Sequence, residues 1–370
     1  MKLQTITVTR TQLPPLSTYT RYLTRIWKNR WLTNNGEFVQ KFERTLKKRL
    51  GVDSVASVTN GTLAMQIAIK ALGLTGEIIT TPFTFQATTN VILWEGLTPV
   101  FADIDPETFT IDPRDVEKKI TKRTSAILAV HVYGNACNVE ALDRIAKKYN
   151  LKLIYDAAHA YGVEYKGKSL VSFGDISTLS FHATKTFHTI EGGAIIVNAP
   201  GYFNIVKQMR NFGIVSEEEV LTAGINAKMN EFQAAMGLSN FPGYETRRKR
   251  NQRIYALYES EFRSREGLRM QKLVISKHNY TYFPIVVRSK VERDGLYASL
   301  LRSGIHARKY FYPLTTDARV FPRGKLNPYT RDHLVTARYI SDRVLCLPLY
   351  ADLPLRDAKR VVKAVKSFLR

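Results

Sequence analysis

The chain has 370 residues, of which 44% are hydrophobic and 24% are charged, as in ordinary globular enzymes. No apolar run approaches the roughly 20 residues that span a bilayer, and the first residues contain no apolar segment of a signal peptide, so membrane insertion and secretion are disfavoured. We therefore expect a cytoplasmic protein with one large and one smaller domain.

The net charge is strongly positive, with 55 basic against 32 acidic residues and a balance of +23. Such an excess is typical of proteins that bind polyanions, including nucleic acids. The densest basic cluster, residues 247–253, lies in a predicted helix without interleaved aromatic residues. We interpret it as a solvated helix face and predict no nucleic-acid partner. An anionic small substrate and a nucleic acid remain the alternatives.

The two cysteines, Cys137 and Cys346, lie outside any CxxC pattern and are too few to form a metal cluster. We predict two buried free thiols and no metal site. A disulfide or a catalytic thiol is the alternative for each.

The N-terminal 45 residues predict a helical arm joined by the loop WLTNNGEF. A second predicted helix begins after Asn60, whose side chain is a suitable N-cap. Its apolar residues share one helical face: Leu63, Ala64, Ile67, Ala68, Ala71 and Leu72. Gly73 ends this pattern and predicts the end of the helix.

From about residue 52 to residue 200, short apolar runs alternate with segments of helical periodicity. Residues 125–130, 151–155 and 176–181 are predicted to be buried strands, and residues 139–149 a helix. This alternation is typical of βα units and of a mainly parallel sheet.

The composition changes near residues 241–243, where a basic helix begins. A strand at 280–287 and a terminal helix ending at Arg370 follow. The sequence therefore predicts an α/β protein with a large domain at 1–240 and a smaller α+β domain at 241–370.

Ligands of α/β proteins bind where the carboxyl ends of parallel strands meet, and three sequence features fall there. The first is Gly61-Thr62 at a helix start, whose backbone N–H groups either bind a phosphate or are merely capped. The second is Asp156, which directly follows a strand and is either a structural cap or a catalytic carboxylate. His159, three residues later, either hydrogen-bonds a ligand or is structural.

The third feature is Lys185, within SFHATKTFHTIEGG at residues 180–193. A lysine close to the end of a buried strand loses hydration, which lowers its pKa and makes its amine a nucleophile toward carbonyl groups. An isolated lysine would be interpreted as a surface residue. The order of strand, serine, lysine and double glycine favours a lysine that forms a Schiff base.

Many ordered motifs resemble the DegT/DnrJ/StrS family of nucleotide-sugar aminotransferases nearly from end to end. They are WLTNNG, NGTLAM, TPFTFQATTN, PVFADIDP, HVYGNACNVEAL, DAAHAYG, SFHATK, EGGAI, GINAKMNEFQAA and ARKYFYP. The resemblance implies the fold-type I architecture of pyridoxal phosphate enzymes, in which a mainly parallel, mixed seven-stranded sheet is flanked by helices in the large domain.

The resemblance also implies roles toward pyridoxal 5'-phosphate. Lys185 would form the Schiff base and shuttle a proton, and Asp156 would pair with the pyridine nitrogen so that the ring accepts electrons. The other implied contacts are His159 beside the ring, Phe85 stacked on its face, Gly61, Thr62 and Ser180 at the phosphate, and Asn226 at the phosphate of a neighbouring subunit. These shared sites imply a homodimer. Phe85 is otherwise a core residue, and Asn226 a turn residue.

Dehydratases of the family carry histidine at the lysine position, so Lys185 favours transamination. The segment ARKYFYP, residues 307–313, departs from the family's His-Tyr-x-Pro string and is similar to the subgroup that makes 4-amino-4,6-dideoxyglucose on dTDP. We expect substrate contacts from Thr33, Asn34, Arg308, Lys309 and Tyr310, with the two cations facing a pyrophosphate. Either cation is otherwise an exposed strand-end charge.

The expected reaction is a two-step transamination. L-Glutamate would convert the cofactor to pyridoxamine 5'-phosphate and leave as 2-oxoglutarate, and dTDP-4-keto-6-deoxy-D-glucose would then receive the amino group at C4. Amination at C3, or of a UDP- or GDP-linked keto-sugar, is the alternative among enzymes. A basic regulatory protein that binds nucleic acid and an idle scaffold subunit are the alternatives outside catalysis.

Overall fold

The computed structural model describes residues 5–318 and 334–369. Within these ranges the α-helices are α1 (Leu16–Asn29), α2 (Glu37–Leu50), α3 (Gly61–Ala71), α4 (Gln86–Trp94), α5 (Pro113–Lys118), α6 (Val139–Lys148), α7 (Tyr202–Met209), α8 (Glu231–Asn240), α9 (Tyr244–Phe262), α10 (Lys290–Arg302), α11 (Val335–Arg343) and α12 (Leu355–Phe368). The strands are β1 (Val55–Val58), β2 (Glu77–Thr80), β3 (Thr98–Phe101), β4 (Thr124–Val130), β5 (Lys152–Asp156), β6 (Glu164–Tyr165), β7 (Lys168–Ser169), β8 (Ile176–Ser180), β9 (Gly193–Val197), β10 (Arg269–Met270), β11 (Phe283–Val286) and β12 (Val344–Leu347).

The large sheet has seven strands in the order β1-β9-β8-β5-β4-β2-β3. Strands β8, β5, β4, β2 and β3 pair in parallel, whereas β9 runs antiparallel to both of its neighbours. All residues of β2 and β9 are buried, as expected for a sheet covered on both faces. The predicted mainly parallel, mixed seven-stranded sheet is therefore confirmed.

The strands predicted at 125–130, 151–155 and 176–181 correspond to β4, β5 and β8, with ends that differ by one residue. The three strands are parallel neighbours, so their carboxyl ends lie together at one edge of the sheet. This edge carries Asp156 at the end of β5 and Ser180 at the end of β8. The topology thus places two of the predicted site residues side by side.

The predicted helix boundaries agree with local capping. The side chain of Asn60 accepts a hydrogen bond from the backbone N–H of Leu63 at 2.9 Å, which confirms Asn60 as the N-cap of α3. Gly73, beyond the end of α3, has a φ of +63°, a left-handed conformation that glycine adopts without strain. The helix predicted at 139–149 is α6, capped by Asn138.

The predicted N-terminal arm consists of α1 and α2. The segment before α1 contacts both the predicted smaller domain and the loop that carries Lys185. Ile6 is buried in the hydrophobic core of the predicted smaller domain. Next to it, the carbonyl of Val8 accepts the N–H of Leu349 at 3.1 Å. Farther along, the carbonyl of Gln12 accepts a hydrogen bond from Nε2 of His188 at 2.8 Å. Because His188 follows Lys185 by three residues, this segment links the predicted smaller domain to the loop that carries the lysine.

The smaller sheet is antiparallel, in the order β10-β11-β12, and packs against α9, α10 and α12. The strand predicted at 280–287 contains β11, and the predicted terminal helix is α12. Its predicted last residue, Arg370, lies outside the described residues. The predicted domain boundary between residues 240 and 241 falls in the turn between α8 and α9, and it stays a prediction.

The basic cluster lies in α9, as predicted. Lys249, Arg250 and Arg253 are exposed, whereas Arg247 and Arg248 are partly buried. The solvated face therefore includes only part of the cluster.

Both cysteines are buried free thiols, as predicted. Within residues 5–318 and 334–369, no helix has the length and apolar character required to cross a membrane.

Candidate active site

A cavity of about 260 Å³ opens at the carboxyl edge of the large sheet. Its walls come from the start of α3, the segment that precedes α4, the ends of β5 and β8, and residues 308 and 310 of the predicted smaller domain. The lining includes most of the predicted site residues: Gly61, Thr62, Phe85, Asp156, His159, Ser180, Lys185, Arg308 and Tyr310. The fold therefore brings together residues that are far apart in the sequence.

Lys185 lies in the loop between β8 and β9. The side chain as a whole keeps some exposure, but its amine is surrounded by the protein atoms of the cavity. Burial lowers the pKa of this amine to about 8, while the negative charge of Asp156 opposes the shift and the positive charge of Arg308 adds to it. An amine with this pKa is partly neutral near physiological pH, as a nucleophile or proton carrier must be.

Asp156 is almost completely buried. Its Oδ2 accepts a hydrogen bond from Oγ1 of Thr88 at 2.7 Å, and its Oδ1 accepts the backbone N–H of Ala158 at 3.0 Å. Burial raises the pKa of the carboxyl group, while these two hydrogen bonds and the charge of Lys185 oppose the shift. The carboxylate therefore caps the local backbone and also faces the cavity, so the two interpretations of the sequence are compatible.

His159 lies in the cavity wall with its ring parallel to that of Phe311. Its Nδ1 accepts the backbone N–H of Tyr133 at 3.3 Å. Burial, together with the charge of Lys185, lowers the pKa of His159 well below its ordinary value, so the ring is neutral. Because Nδ1 is an acceptor, the single ring proton is on Nε2. The site therefore contains a neutral imidazole with one N–H donor.

The start of α3 faces the end of β8 at close range. A Cβ atom on Gly61 would lie 3.0 Å from Cβ of Ser180, so only glycine lets the two segments approach so closely. Backbone N–H groups in the first turn of a helix have no acceptor within the helix, and they form its positive end. The N–H groups of Gly61 and Thr62 and the hydroxyl of Ser180 thus form a suitable cradle for a phosphate.

Phe85, the residue that precedes α4, lines the cavity but leaves 54% of its surface exposed. The alternative interpretation of Phe85 as a core residue is therefore wrong. An exposed aromatic face beside a cavity provides a stacking surface for a planar ligand.

These features fit pyridoxal phosphate. The helix start suits its phosphate, the carboxylate of Asp156 suits its ring nitrogen, Phe85 suits its ring face, and the amine of Lys185 suits its aldehyde. The chemistry of the donor set, rather than a single residue, supports the predicted cofactor.

Two of the predicted substrate residues reach the cavity. Arg308 is exposed at its mouth, and the guanidinium lies 4.2 Å above the ring centre of Tyr310. Within the described part of the chain, this guanidinium has no carboxylate partner. By contrast, Nζ of Lys309 donates to Asp294 at 2.6 Å and does not line the cavity. The prediction that both cations face one ligand is therefore not supported by the positions of their side chains.

Thr33, Asn34 and Asn226 also lie outside the cavity of their own chain. Thr33 and Asn34 are exposed in the loop between α1 and α2, and Asn34 contributes to a separate basic pocket. Asn226 is exposed and forms an isolated backbone bridge with Asn211. A contribution of Asn226 to a neighbouring subunit stays a prediction.

Several residues of the site were not predicted from the sequence. His182 and Glu191 line the cavity and approach each other at 3.4 Å, between Nε2 and Oε1. Both lie in the same segment as Lys185, and the presence of two ionisable side chains there was a usable signal. Thr88, which contacts Asp156, lies in the motif TPFTFQATTN, but a buried threonine in a helix carries no signal of its own.

Comparison with known proteins agrees with this geometry. A model of the DegT/DnrJ/EryC1/StrS aminotransferase family matches residues 17–366. Over 369 residues, the chain is 42% identical to a dTDP-4-amino-4,6-dideoxy-D-glucose transaminase of Shigella dysenteriae, with 98% of each protein covered.

Solved structures give the same result. DesI, solved in the presence of its TDP-sugar product, is similar with a TM-score of 0.89 and 32% identity, and the match covers 98% of this chain and 93% of DesI. NtdA of Bacillus subtilis, solved with its bound cofactor PMP, has a TM-score of 0.88 and 28% identity, with coverage of 96% and 82%.

The predicted fold and the predicted cofactor are both confirmed, since the family match extends over nearly the whole chain and the family's enzymes use pyridoxal phosphate. The alternatives of a regulatory nucleic-acid-binding protein and of an idle scaffold lose their support. The protein belongs to the DegT/DnrJ/EryC1/StrS aminotransferase family.

Proposed function

We propose that the protein transfers an amino group from L-glutamate to C4 of dTDP-4-keto-6-deoxy-D-glucose and forms dTDP-4-amino-4,6-dideoxy-D-glucose. One observation carries the chemistry: the amine of Lys185, with its pKa lowered to about 8, faces the same cavity as the carboxylate of Asp156. The choice of sugar is supported by the name of the Shigella dysenteriae relative and by similarity along the full chain.

Different residues of the cavity would bind different parts of the cofactor. The positive end of α3, through the N–H groups of Gly61 and Thr62, and the hydroxyl of Ser180 would bind its phosphate. Asp156 would hold a proton on the ring nitrogen, and the exposed face of Phe85 would orient the ring. When bound, pyridoxal phosphate supplies an aldehyde that condenses with amines and a ring that accepts electrons.

Lys185 performs the proton transfers in this proposal. Transamination moves a proton between the two carbon atoms on either side of the transferred nitrogen, and the neutral form of Nζ would take the proton from one and return it to the other. A pKa of about 8 would let Nζ both accept and release a proton near neutral pH. Because the cavity accepts first the amino donor and then the keto-sugar, we expect ping-pong kinetics.

Arg308 gives the mouth of the cavity an anion-binding group. Its guanidinium is exposed, stacks on Tyr310 and lacks a carboxylate partner within the described residues. A guanidinium binds a phosphate or carboxylate through paired hydrogen bonds. We assign Arg308 to the pyrophosphate of the sugar nucleotide, while Lys309 remains paired with Asp294.

The proposal includes a homodimer with shared sites. The loop that precedes Asn226 exposes several large apolar side chains: Phe212, Ile214, Val220, Leu221 and Ile225. Exposed apolar surface of this kind is typical of protein–protein contacts. Coverage of this loop by a second copy would bring Asn226 toward the neighbouring phosphate site.

The test is a product analysis with purified protein loaded with pyridoxal phosphate. The protein is incubated with L-glutamate and, separately, with the dTDP-, UDP- and GDP-linked 4-keto-6-deoxyhexoses and with the 3-keto isomer. NMR of the product then locates the new C–N bond. The matched control is Lys185→Ala, which retains the rest of the cavity.

We expect amination at C4 of the dTDP-linked sugar by the wild-type protein and none by Lys185→Ala. Turnover that prefers C3, or a UDP- or GDP-linked sugar, would replace the proposed substrate while leaving the chemistry intact. Normal turnover by Lys185→Ala would overturn the chemistry itself. Retention of duplex DNA at physiological salt, without any bound cofactor, would instead favour the regulatory alternative.

A further inference from the structure

Thr88 contacts the carboxylate of Asp156 without lining the cavity. It lies in the first turn of α4, and its side chain is fully buried. Its Oγ1 is 2.7 Å from Oδ2 of Asp156 and 2.8 Å from Oγ1 of Thr84, which is buried as well. Oxygen atoms of Thr84, Thr88 and Asp156 therefore form a continuous hydrogen-bonded chain, in which Thr84 and Asp156 line the cavity and Thr88 joins them from behind its wall.

The direction of this chain follows from the number of protons. A hydroxyl group has one proton to donate, and an ionised carboxylate can only accept. If Asp156 is ionised, the proton of Thr88 points to Oδ2, and the 2.8 Å contact is satisfied only if Thr84 donates to Thr88. Both hydroxyl dipoles then point toward the negative charge. A protonated Oδ2 would instead compete with Thr88 as a donor.

We propose that Thr88 is a positioning residue that keeps Asp156 ionised and oriented toward the ring nitrogen of the cofactor, with Thr84 holding the Thr88 hydroxyl in its donating direction. This inference rests on the proposed function, because it assigns the ring nitrogen of pyridoxal phosphate as the partner of Asp156.

The need for such a residue comes from the burial of Asp156. Burial alone raises the pKa of the carboxyl group, and the hydrogen bond from Thr88 is the largest of the influences that oppose this shift. The backbone N–H of Ala158 and the charge of Lys185 contribute less. A buried carboxylate without the hydroxyl would hold its proton more tightly and give it up less readily to a partner.

The location of one proton is therefore the quantity that Thr88 controls. With the cofactor bound, Asp156 and the pyridine nitrogen would share a proton, which would lie on nitrogen when the carboxylate is the weaker base. Removal of the Thr88 hydroxyl makes the carboxylate the stronger base and moves the proton toward oxygen. The ring then accepts electrons less well, although its contacts are otherwise unchanged.

The next residue provides a matched control. Thr89 is also fully buried in α4, but its hydroxyl donates to Oγ1 of Thr315 at 2.9 Å rather than to Asp156. Thr88→Val and Thr89→Val each remove one buried hydroxyl from adjacent positions of the same helix. Only the first change removes a donor to the carboxylate.

The test loads wild-type protein and variants with pyridoxal phosphate labelled with ¹⁵N in the ring and records the ¹⁵N resonance across a pH range. Cofactor dissociation constants and thermal unfolding are measured on the same samples. The variants are Thr88→Val, Thr88→Ser, Thr84→Val and Thr89→Val. Thr84→Val keeps the Thr88–Asp156 hydrogen bond and removes the outer donor.

We expect Thr88→Val to move the resonance toward the unprotonated pyridine position and to weaken cofactor binding, because the charge pair between Asp156 and the ring nitrogen is then partly lost. Thr84→Val should move the resonance in the same direction by less. Thr88→Ser should restore the wild-type resonance, and Thr89→Val should retain it even if it lowers the unfolding temperature.

A Thr88→Val resonance equal to that of the wild type would overturn the inference and leave the proposed function intact. If Thr88→Val does not fold, Thr84→Val decides instead. A wild-type resonance in Thr84→Val would overturn the inference, and a shift toward the unprotonated position would support it. Wild-type protein that takes up no labelled cofactor would overturn the proposed function, and this inference with it.

Discussion

Arg308 lies close enough to Lys185 for its positive charge to contribute to the low pKa of the lysine amine. The two residues come from different parts of the chain, one from the loop after β8 and the other from the segment that pairs with β12. The packing of the predicted smaller domain against the large sheet therefore influences the reactivity of the catalytic amine.

The first prediction concerns this charge. The neutral amine reacts with an aldehyde, so condensation of pyridoxal phosphate with cofactor-free protein should accelerate as the pH rises through about 8. Arg308→Ala removes a charge that lowers the pKa of Lys185, and the midpoint should therefore move to higher pH. Stopped-flow absorbance at a series of pH values measures this midpoint.

Two variants control this experiment. Arg308→Lys retains the positive charge and should keep a midpoint closer to that of the wild type than Arg308→Ala does. Arg253→Ala removes an exposed charge on α9, outside the residues that line the cavity, and should leave the midpoint unchanged. An unaltered midpoint in Arg308→Ala would contradict the account of the lysine pKa.

A second prediction concerns the start of α2, directly after the loop that carries Thr33 and Asn34. Glu231, at the start of α8, is 2% exposed, and its carboxylate accepts the backbone N–H groups of Phe38 and Val39, each at 2.9 Å. It thereby caps α2 from another helix. Glu231→Ala would leave two buried donors without an acceptor, so the free energy of unfolding should fall by about 3 kcal/mol.

The control variant changes Glu37, an acidic residue at the same end of α2. Glu37 forms an exposed ion pair with Arg25, and Glu37→Gln should change the free energy of unfolding by less than about 1 kcal/mol. Glu231→Gln keeps one acceptor oxygen and should fall between the two. Denaturant unfolding monitored by circular dichroism gives the free energy of unfolding of the three variants. Equal decreases for Glu231→Ala and Glu37→Gln would contradict the stabilising role of the Glu231 cap.

A third prediction tests the shared sites of the proposed dimer. If Asn226 contributes to the cofactor site of the neighbouring subunit, Lys185→Ala and Asn226→Ala each impair both sites of a pure dimer. A mixed dimer of the two variants contains one site in which both residues are native. Mixing the inactive or weakened proteins under conditions of subunit exchange should therefore restore activity. Activity that never exceeds the sum of the separate proteins would argue that each site is complete within one chain.

The sequence was sufficient for the parts of the fold that depend on periodicity and capping. The apolar runs predicted β4, β5 and β8, and the carboxyl ends of these parallel strands meet at one edge, which is why Asp156 and Ser180 could be placed together. The end of α3 before Gly73 followed from the position of this glycine after an apolar helical face.

The sequence was insufficient where a side chain's direction decides its role. Arg308 and Lys309 are consecutive, and the backbone of Arg308 pairs with Cys346 in an extended bridge. The backbone turns directly after this bridge, because the N–H of Tyr310 donates to the carbonyl of Arg308 at 3.1 Å, and the two side chains take different directions. Composition alone could not tell which of the two cations faces the cavity and which one faces Asp294.

Contacts between distant elements were also beyond the sequence. Thr88 and Asp156 are separated by 68 positions, and their hydrogen bond depends on how α4 packs against the end of β5. A buried threonine in a helix most often satisfies its hydroxyl locally, so nothing in its type or spacing indicates a carboxylate partner.

The central claim is that the amine of Lys185 bonds covalently to pyridoxal phosphate. Borohydride reduction of the loaded protein converts that bond into a stable one, and peptide mass spectrometry then locates the added pyridoxyl phosphate group. The account predicts the group on Lys185 in the wild-type protein and its loss in Lys185→Ala, with Lys309→Ala unaffected. A group found on another lysine of the wild-type protein, or on none, would contradict it.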